Sequence, residues 1–219
     1  MEIVYRKGQA TNVFQVELVY VINNKVKMAV MNEDDNCWKF DLNLADGEYL
    51  YKFIVNNGIR MNDPNANKYV KWVNGETWSL LKILNGKIVT RKYRETELVN
   101  FRVHNGTAGY GCKSVTYPRD TRCYVSFDLN NVCDVHSVTA LWYQPDGSLY
   151  HIEECTIDAD NNVYTNYAET FWVTFSQSTH PFKFGIWMVE IYVDGEHKVR
   201  EYFTVNQGVV QQKLFNFVV

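Results

Sequence analysis

The most conspicuous gap in this 219-residue sequence is helical periodicity. No stretch repeats apolar residues every three to four positions over a helix's length. Proline is scarce, with 4 residues, and glycine contributes only 12, which excludes collagen-like and low-complexity chains. An excess of one charge is also missing. Lys and Arg number 22 against 25 Asp and Glu, a net charge of −3. General affinity for nucleic acid or an anionic membrane is therefore not expected. No apolar run reaches the roughly 18 residues of a membrane-spanning helix. Met1-Glu2-Ile3-Val4-Tyr5-Arg6-Lys7-Gly8 opens no signal-peptide core, so the expectation is a soluble, cytoplasmic protein. The five cysteines, Cys37, Cys112, Cys123, Cys133 and Cys155, include no C-x-x-C pair. Neither a zinc knuckle nor a redox dithiol is suggested, and free thiols are expected.

What is present is a period of two, which sends alternate side chains to opposite faces of a sheet. Phe14, Val16, Leu18 and Tyr20 alternate with Gln15, Glu17 and Val19. Trp38, Phe40, Leu42 and Leu44 form a second set, and Tyr49, Tyr51, Phe53 and Val55 a third. Asp46-Gly47 between the last two predicts a hairpin. Downstream, Cys123, Val125, Phe127 and Leu129 alternate with Tyr124, Ser126 and Asp128, and Val138, Ala140 and Trp142 follow. Gln144-Pro145-Asp146-Gly147-Ser148 has turn chemistry, because proline presets one dihedral and glycine accepts a positive φ. Trp187, Val189, Ile191 and Val193 run into Asp194-Gly195-Glu196 and return through Val199 to Val205, the strongest predicted hairpin.

Short strands with regular turn punctuation predict two tandem immunoglobulin-like β-sandwiches, an all-β chain. The charged stretch Arg91–Val99 is the expected boundary, giving domains of 1–92 and 93–219. Asn105–Lys113 reads as a long early loop of the second sandwich. The apolar tail Val209–Val219 is expected to be buried within the chain or to pair with a protein partner or a second copy.

The run Val16-Glu17-Leu18-Val19-Tyr20-Val21-Ile22-Asn23-Asn24, then Trp38-Lys39-Phe40-Asp41-Leu42, then Asp46-Gly47-Glu48-Tyr49-Leu50-Tyr51-Lys52-Phe53-Ile54-Val55 and Asn62-Asp63-Pro64, resembles a known family. It is similar to the glycogen-binding module of AMP-activated kinase β subunits and the early-set sandwich of starch branching and debranching enzymes (carbohydrate-binding module family 48). The resemblance covers about Val13 to Ile83 and implies an α-glucan ligand. Family members that bind α-glucan place a Trp after the Asn-Asn pair and another shortly before Asp-Pro. This chain has Lys25 at the first place and Ile59-Arg60 at the second. Of the family's recognition residues, Lys52 matches; the other reading of Lys52 is a solvated lysine on an outer sheet face. Tyr69, Trp72, Asn74 and Trp78 fall where the family's sugar-contacting loop lies, as a substitute platform or as residues packed inside. The second domain is similar to immunoglobulin-like modules in general. Cys123 and Trp142 suit its B and C strands, without the inter-sheet disulfide.

Catalytic motifs are absent. His104, His136, His151, His180 and His197 have no metal spacing, and no G-x-S-x-G, Walker or G-x-G-x-x-G sequence occurs. Thr107–Cys112 is Gly-rich without the basic residue a phosphate loop needs. Asp158, Asp160, Asn162 and Glu169 fall at positions of a calcium loop, but Val163 stands where glycine makes the sharp turn. An ordinary Asp/Asn turn, no metal and no cofactor are expected. The paired acids Asp34/Asp35 and Glu153/Glu154 read as solvated loop and edge charges, and no glycosidase pair is expected, because adjacent residues on a strand point to opposite faces. The sequence thus predicts a non-catalytic binding protein for a glycan, or alternatively a protein-interaction module that has lost the sugar site.

Overall fold

The computed structural model describes residues 1–6, 10, 12–89, 96–106, 112–159, 163–164 and 166–208. The expected boundary at 92/93, the Gly-rich Thr107–Gly111, Asp160, Asn162 and the tail Val209–Val219 lie outside them. Every regular element described is a strand. The first half contains β1 (Glu2–Arg6), β2 (Val16–Ile22), β3 (Lys25–Val30), β4 (Asn32–Asp34), β5 (Cys37–Asp41), β6 (Gly47–Val55), β7 (Ile59–Met61), β8 (Lys68–Lys71), β9 (Thr77–Leu84) and β10 (Lys87–Val89). The second contains β11 (Glu97–His104), β12 (Ser114–Tyr117), β13 (Arg122–Asn130), β14 (Val135–Tyr143), β15 (Leu149–Asp158), β16 (Tyr167–Thr174), β17 (Gly185–Val193) and β18 (Glu196–Gln207).

The chain is all-β and forms two immunoglobulin-like sandwiches. In the first, β1-β5-β4 faces a seven-stranded sheet ordered β10-β9-β6-β2-β3, with β7 on β6 and β8 on β9. Ile3, Tyr5 and Trp38 from one sheet pack against Val16, Leu18, Phe53 and Leu81 from the other. In the second, β11-β13-β16 faces β12-β18-β17-β14-β15. The alternating set Cys123, Val125, Phe127 and Leu129 is buried there against Trp142, Trp187 and Phe203. This is the pattern that period-two alternation dictates. All five cysteines are free, Cys123 included.

Turn chemistry explains most of the reversals. Asp194 and Gly195 have φ of 56° and 83°, and Val193 pairs with Glu196, as in a two-residue hairpin of primed type. Asn23 and Asn24 do the same between β2 and β3, with φ of 50° and 59°. Asp46-Gly47 departs from expectation. β5 and β6 lie in different sheets, so this stretch crosses the sandwich instead of closing a hairpin. The Asp46 carboxylate accepts from Asn85 N at 2.6 Å and Gly86 N at 2.8 Å, capping the β9–β10 turn. Phe14, expected on the core face, precedes β2 and is exposed.

Candidate functional site

The residues singled out by resemblance converge on the joint between the sandwiches. Lys52, on β6, is 1% exposed. Its ammonium donates to Glu76 Oε1 at 3.1 Å and to Glu154 Oε1, on β15 of the second sandwich, also at 3.1 Å. Lys52 is thus neither solvated nor open to a ligand. A buried ammonium needs counter-charges, and these two carboxylates supply them. Arg60 donates to both oxygens of Glu76 at 2.9 and 3.1 Å. Burial alone would raise the Glu76 carboxyl, but the Arg60 guanidinium and Lys52 overrule it and hold its pKa at about 2. The Glu154 carboxyl is pushed upward, chiefly by burial, against the pull of Lys52.

The other predicted ligand residues are also committed. Trp78 is buried, with the half-buried Trp72 ring at a centroid distance of 6.1 Å. Tyr69 is buried and donates to Asp63 O at 2.8 Å. Asn74 is exposed and donates to Glu76 Oε2 at 3.1 Å, shaping the turn that brings Glu76 to Lys52. Of the three rings, Tyr69 and Trp78 are buried and Trp72 is partly exposed. Asn62 and Asp63, whose counterparts border the sugar loop in the resembled family, are buried. Asn62 Nδ2 donates to Ser137 Oγ at 2.9 Å in the second sandwich, and Asp194 N donates to Ser137 O at 2.8 Å. Asp194 also accepts from Ser137 N at 3.0 Å and lies 2.7 Å from His136 Nδ1. Thr77 and Thr156 share a hydrogen bond of 2.6 Å across the same joint. Leu141, Tyr143 and Tyr192 of the second sandwich belong to the first sandwich's apolar cluster.

Of the calcium-like set, Asp158 ends β15, and Glu169, on β16, lies 3.5 Å from Cys155 Sγ. Among the described residues, no group of three or more His, Cys, Asp or Glu is placed to hold a metal ion.

An open concave surface lies elsewhere, between β15 and β16. Each is the last strand of its own sheet, so the sandwich has a seam there. The seam widens into a cleft of about 690 Å³ lined by Tyr150, His151, Glu153, Trp172, Ser176 and His180, among others. Trp172 is 43% exposed, whereas its strand neighbours Phe171 and Val173 are buried in the core. Alternation along β16 therefore turns the indole outward. Glu153 accepts from the Trp172 backbone N–H at 3.1 Å, satisfying an edge donor that no strand pairs. Burial raises the Glu153 carboxyl and the Glu169 charge adds to it, while the Trp172 N–H pulls it down. Tyr150 OH donates to His180 O at 3.0 Å, and the two rings meet edge to face at 4.3 Å. Burial, with His180 nearby, holds His151 below the ordinary imidazole value, which favours the neutral ring, a group able to donate and to accept. Glu153 and Glu154 face opposite ways, one into the seam and one onto Lys52. Trp172 and Tyr150 were not singled out from sequence; the only signal was an indole alternating with core residues.

No protein-family model and no curated protein matches the chain. Among solved structures it is similar to an alkylpurine DNA glycosylase of Pseudomonas fluorescens, at 14% identity over 51% of this chain and 30% of that one, TM-score 0.33. An immunoglobulin-like protein of Pseudomonas aeruginosa matches at 15% identity over 52% of this chain and 99% of that one, TM-score 0.33. A DUF3823 family protein of Parabacteroides merdae matches at 15% identity over 94% of this chain and 98% of that one, TM-score 0.30. The chain therefore spans less than a third of the glycosylase.

Proposed function

We propose that this chain is a non-catalytic glycan-binding protein whose ligand lies in the seam cleft of the second sandwich. The half-exposed indole of Trp172 above that cleft carries the reading. Sugar rings present flat C–H faces and a rim of hydroxyls. They are held by a rigid aromatic surface with a few placed polar groups around it. The cleft offers that combination: Trp172 as the shelf, with His151, Glu153, Thr174 and Ser176 as donors and acceptors. The family resemblance in the first sandwich is consistent with a glycan ligand, α-glucan being the class it implies. Lys52, the position that matches that family's recognition residues, is engaged at the joint, which favours the cleft as the binding surface. The carboxylates there are tied to strand edges and partners, which suits recognition better than proton transfer.

The test is native electrophoresis through gels containing glycogen or amylopectin, followed by a panel of soluble glycans. Retardation that Trp172→Ala removes is the expected result. No retardation, with no binding across the panel, overturns the glycan reading. Retardation that survives Trp172→Ala overturns the placement in the seam.

A further inference from the structure

The edge of the seven-stranded sheet carries a second surface, independent of the cleft. β3 is its last strand, and its outer backbone edge has no strand paired to it among the described residues. Along β3, Val26, Met28 and Val30 are 63%, 61% and 59% exposed and share one face. On that face they adjoin Val21, Val19 and Glu17 of β2. Val19 is buried beside Lys52, so the exposed apolar surface is the edge stripe itself, with the half-buried Val21 next to it. Natural edges of this kind are normally blunted, by lysines among other devices. β3 has Lys25 and Lys27, but on the opposite face from the stripe.

We propose that β3 pairs antiparallel with β3 of a second copy of this chain about a two-fold axis at Met28. A two-fold normal to the sheet keeps each face continuous only when a residue opposes its own counterpart. Centred on Met28, the stripe is its own complement, because Val26 then faces Val30 of the other copy and Met28 faces Met28. On the other face Lys27 meets Ala29 and Lys25 meets Met31, so no two lysines are opposed. Centring on Lys27 or Val26 would set lysine against lysine, which cross-strand pairing disfavours. The lysines therefore disfavour those two registers; a centre on Ala29 also keeps them apart but sets Val26 against Asn32, so only the Met28 centre pairs the whole stripe. In that register Lys25 lies two positions along from Glu33, which is exposed in β4 of the other copy. The occupant that fits the edge in both shape and charge is thus the chain itself.

Sedimentation equilibrium on the full chain tests this across a wide concentration range. The expected result is a concentration-dependent dimer. Met28→Lys should raise its dissociation constant at least about 100-fold, since two ammonium groups then meet on the axis. The thermal midpoint of the monomer should stay close to that of the wild type, because the side chain is exposed. Met28→Glu alone should dissociate similarly, and an equimolar mixture of Met28→Lys and Met28→Glu chains should restore the dimer. A chain that is monomeric throughout overturns the proposal. So does a dimer that survives Met28→Lys, or one that is lost only when residues 209–219 are removed. Mixed variants that fail to associate overturn the register. None of these outcomes depends on the glycan.

Discussion

Gly195 lies so close to the Asn62 carbonyl that a Cβ at position 195 would stand 1.8 Å from that oxygen. The tip of the β17–β18 hairpin is thus seated directly on the Asn62-Asp63 backbone of the other sandwich. Gly195→Ala must both strain a φ of +83° and push the hairpin back. The left-handed backbone costs an ordinary residue about 1–2 kcal/mol, and overpacking adds about 1–3 kcal/mol. Gly75 provides the control, with a φ of +85° and nothing within 4 Å of an added Cβ. Urea melts should show Gly195→Ala clearly more destabilised than Gly75→Ala. Equal losses would mean that the hairpin tip carries no weight in the joint.

Lys52 is the cation of that joint. Lys52→Met leaves the half-buried Glu154 without the ammonium it faces and should cost about 3 kcal/mol, whereas adding Glu154→Leu should recover most of the loss. Chemical denaturation of the wild type and of the single and double variants reads both effects. A double variant no better than Lys52→Met would contradict the pairing.

Glu76 sets a pH dependence whose sign follows from its position. Its pKa falls from the ordinary 4.5 to about 2 on folding. The ionised form is therefore favoured by the fold, and its contribution is complete above 4.5 and lost as the pH falls towards 2. The stability gap between the wild type and Glu76→Gln should be constant near neutrality and narrow between those two values. A gap that widens on acidification would reverse the assignment.

Two tryptophans should separate stability from binding. Trp78→Ala removes a buried indole and should cost about 3–5 kcal/mol. The folded protein should still be retarded in glycan gels. Trp172→Ala should change the melting temperature little and abolish retardation.

The thiols should react in order of access. Cys112 is exposed, whereas Cys123 is buried and its thiol is pushed far upward by burial. Titration with a disulfide reagent should modify Cys112 quickly and Cys123 only on unfolding. Rapid modification of Cys123 in the native protein would contradict its place in the core.

Period-two alternation revealed the second core strand by strand, because Val125, Phe127 and Leu129 obey the pleat and pack within one apolar cluster. The Asp194-Gly195 turn was equally legible, since its geometry is local. β3 was not. Its alternation is regular, but its apolar side faces solvent, and sequence alone does not distinguish an outward stripe from an inward one. Lys52 was misleading for a different reason. Its counter-charges stand 24 and 102 residues away, so nothing nearby in the sequence marks it as buried. The seam cleft was invisible because its walls come from two strands that never pair with each other.

Leu141, Tyr143 and Tyr192 reach out of their own half to complete the oily interior of the other. Neither half is therefore a cassette that can be excised and fused elsewhere unchanged. Expressed alone, each would present to water the patch its sibling normally covers. Heating the intact chain should melt both in a single cooperative step.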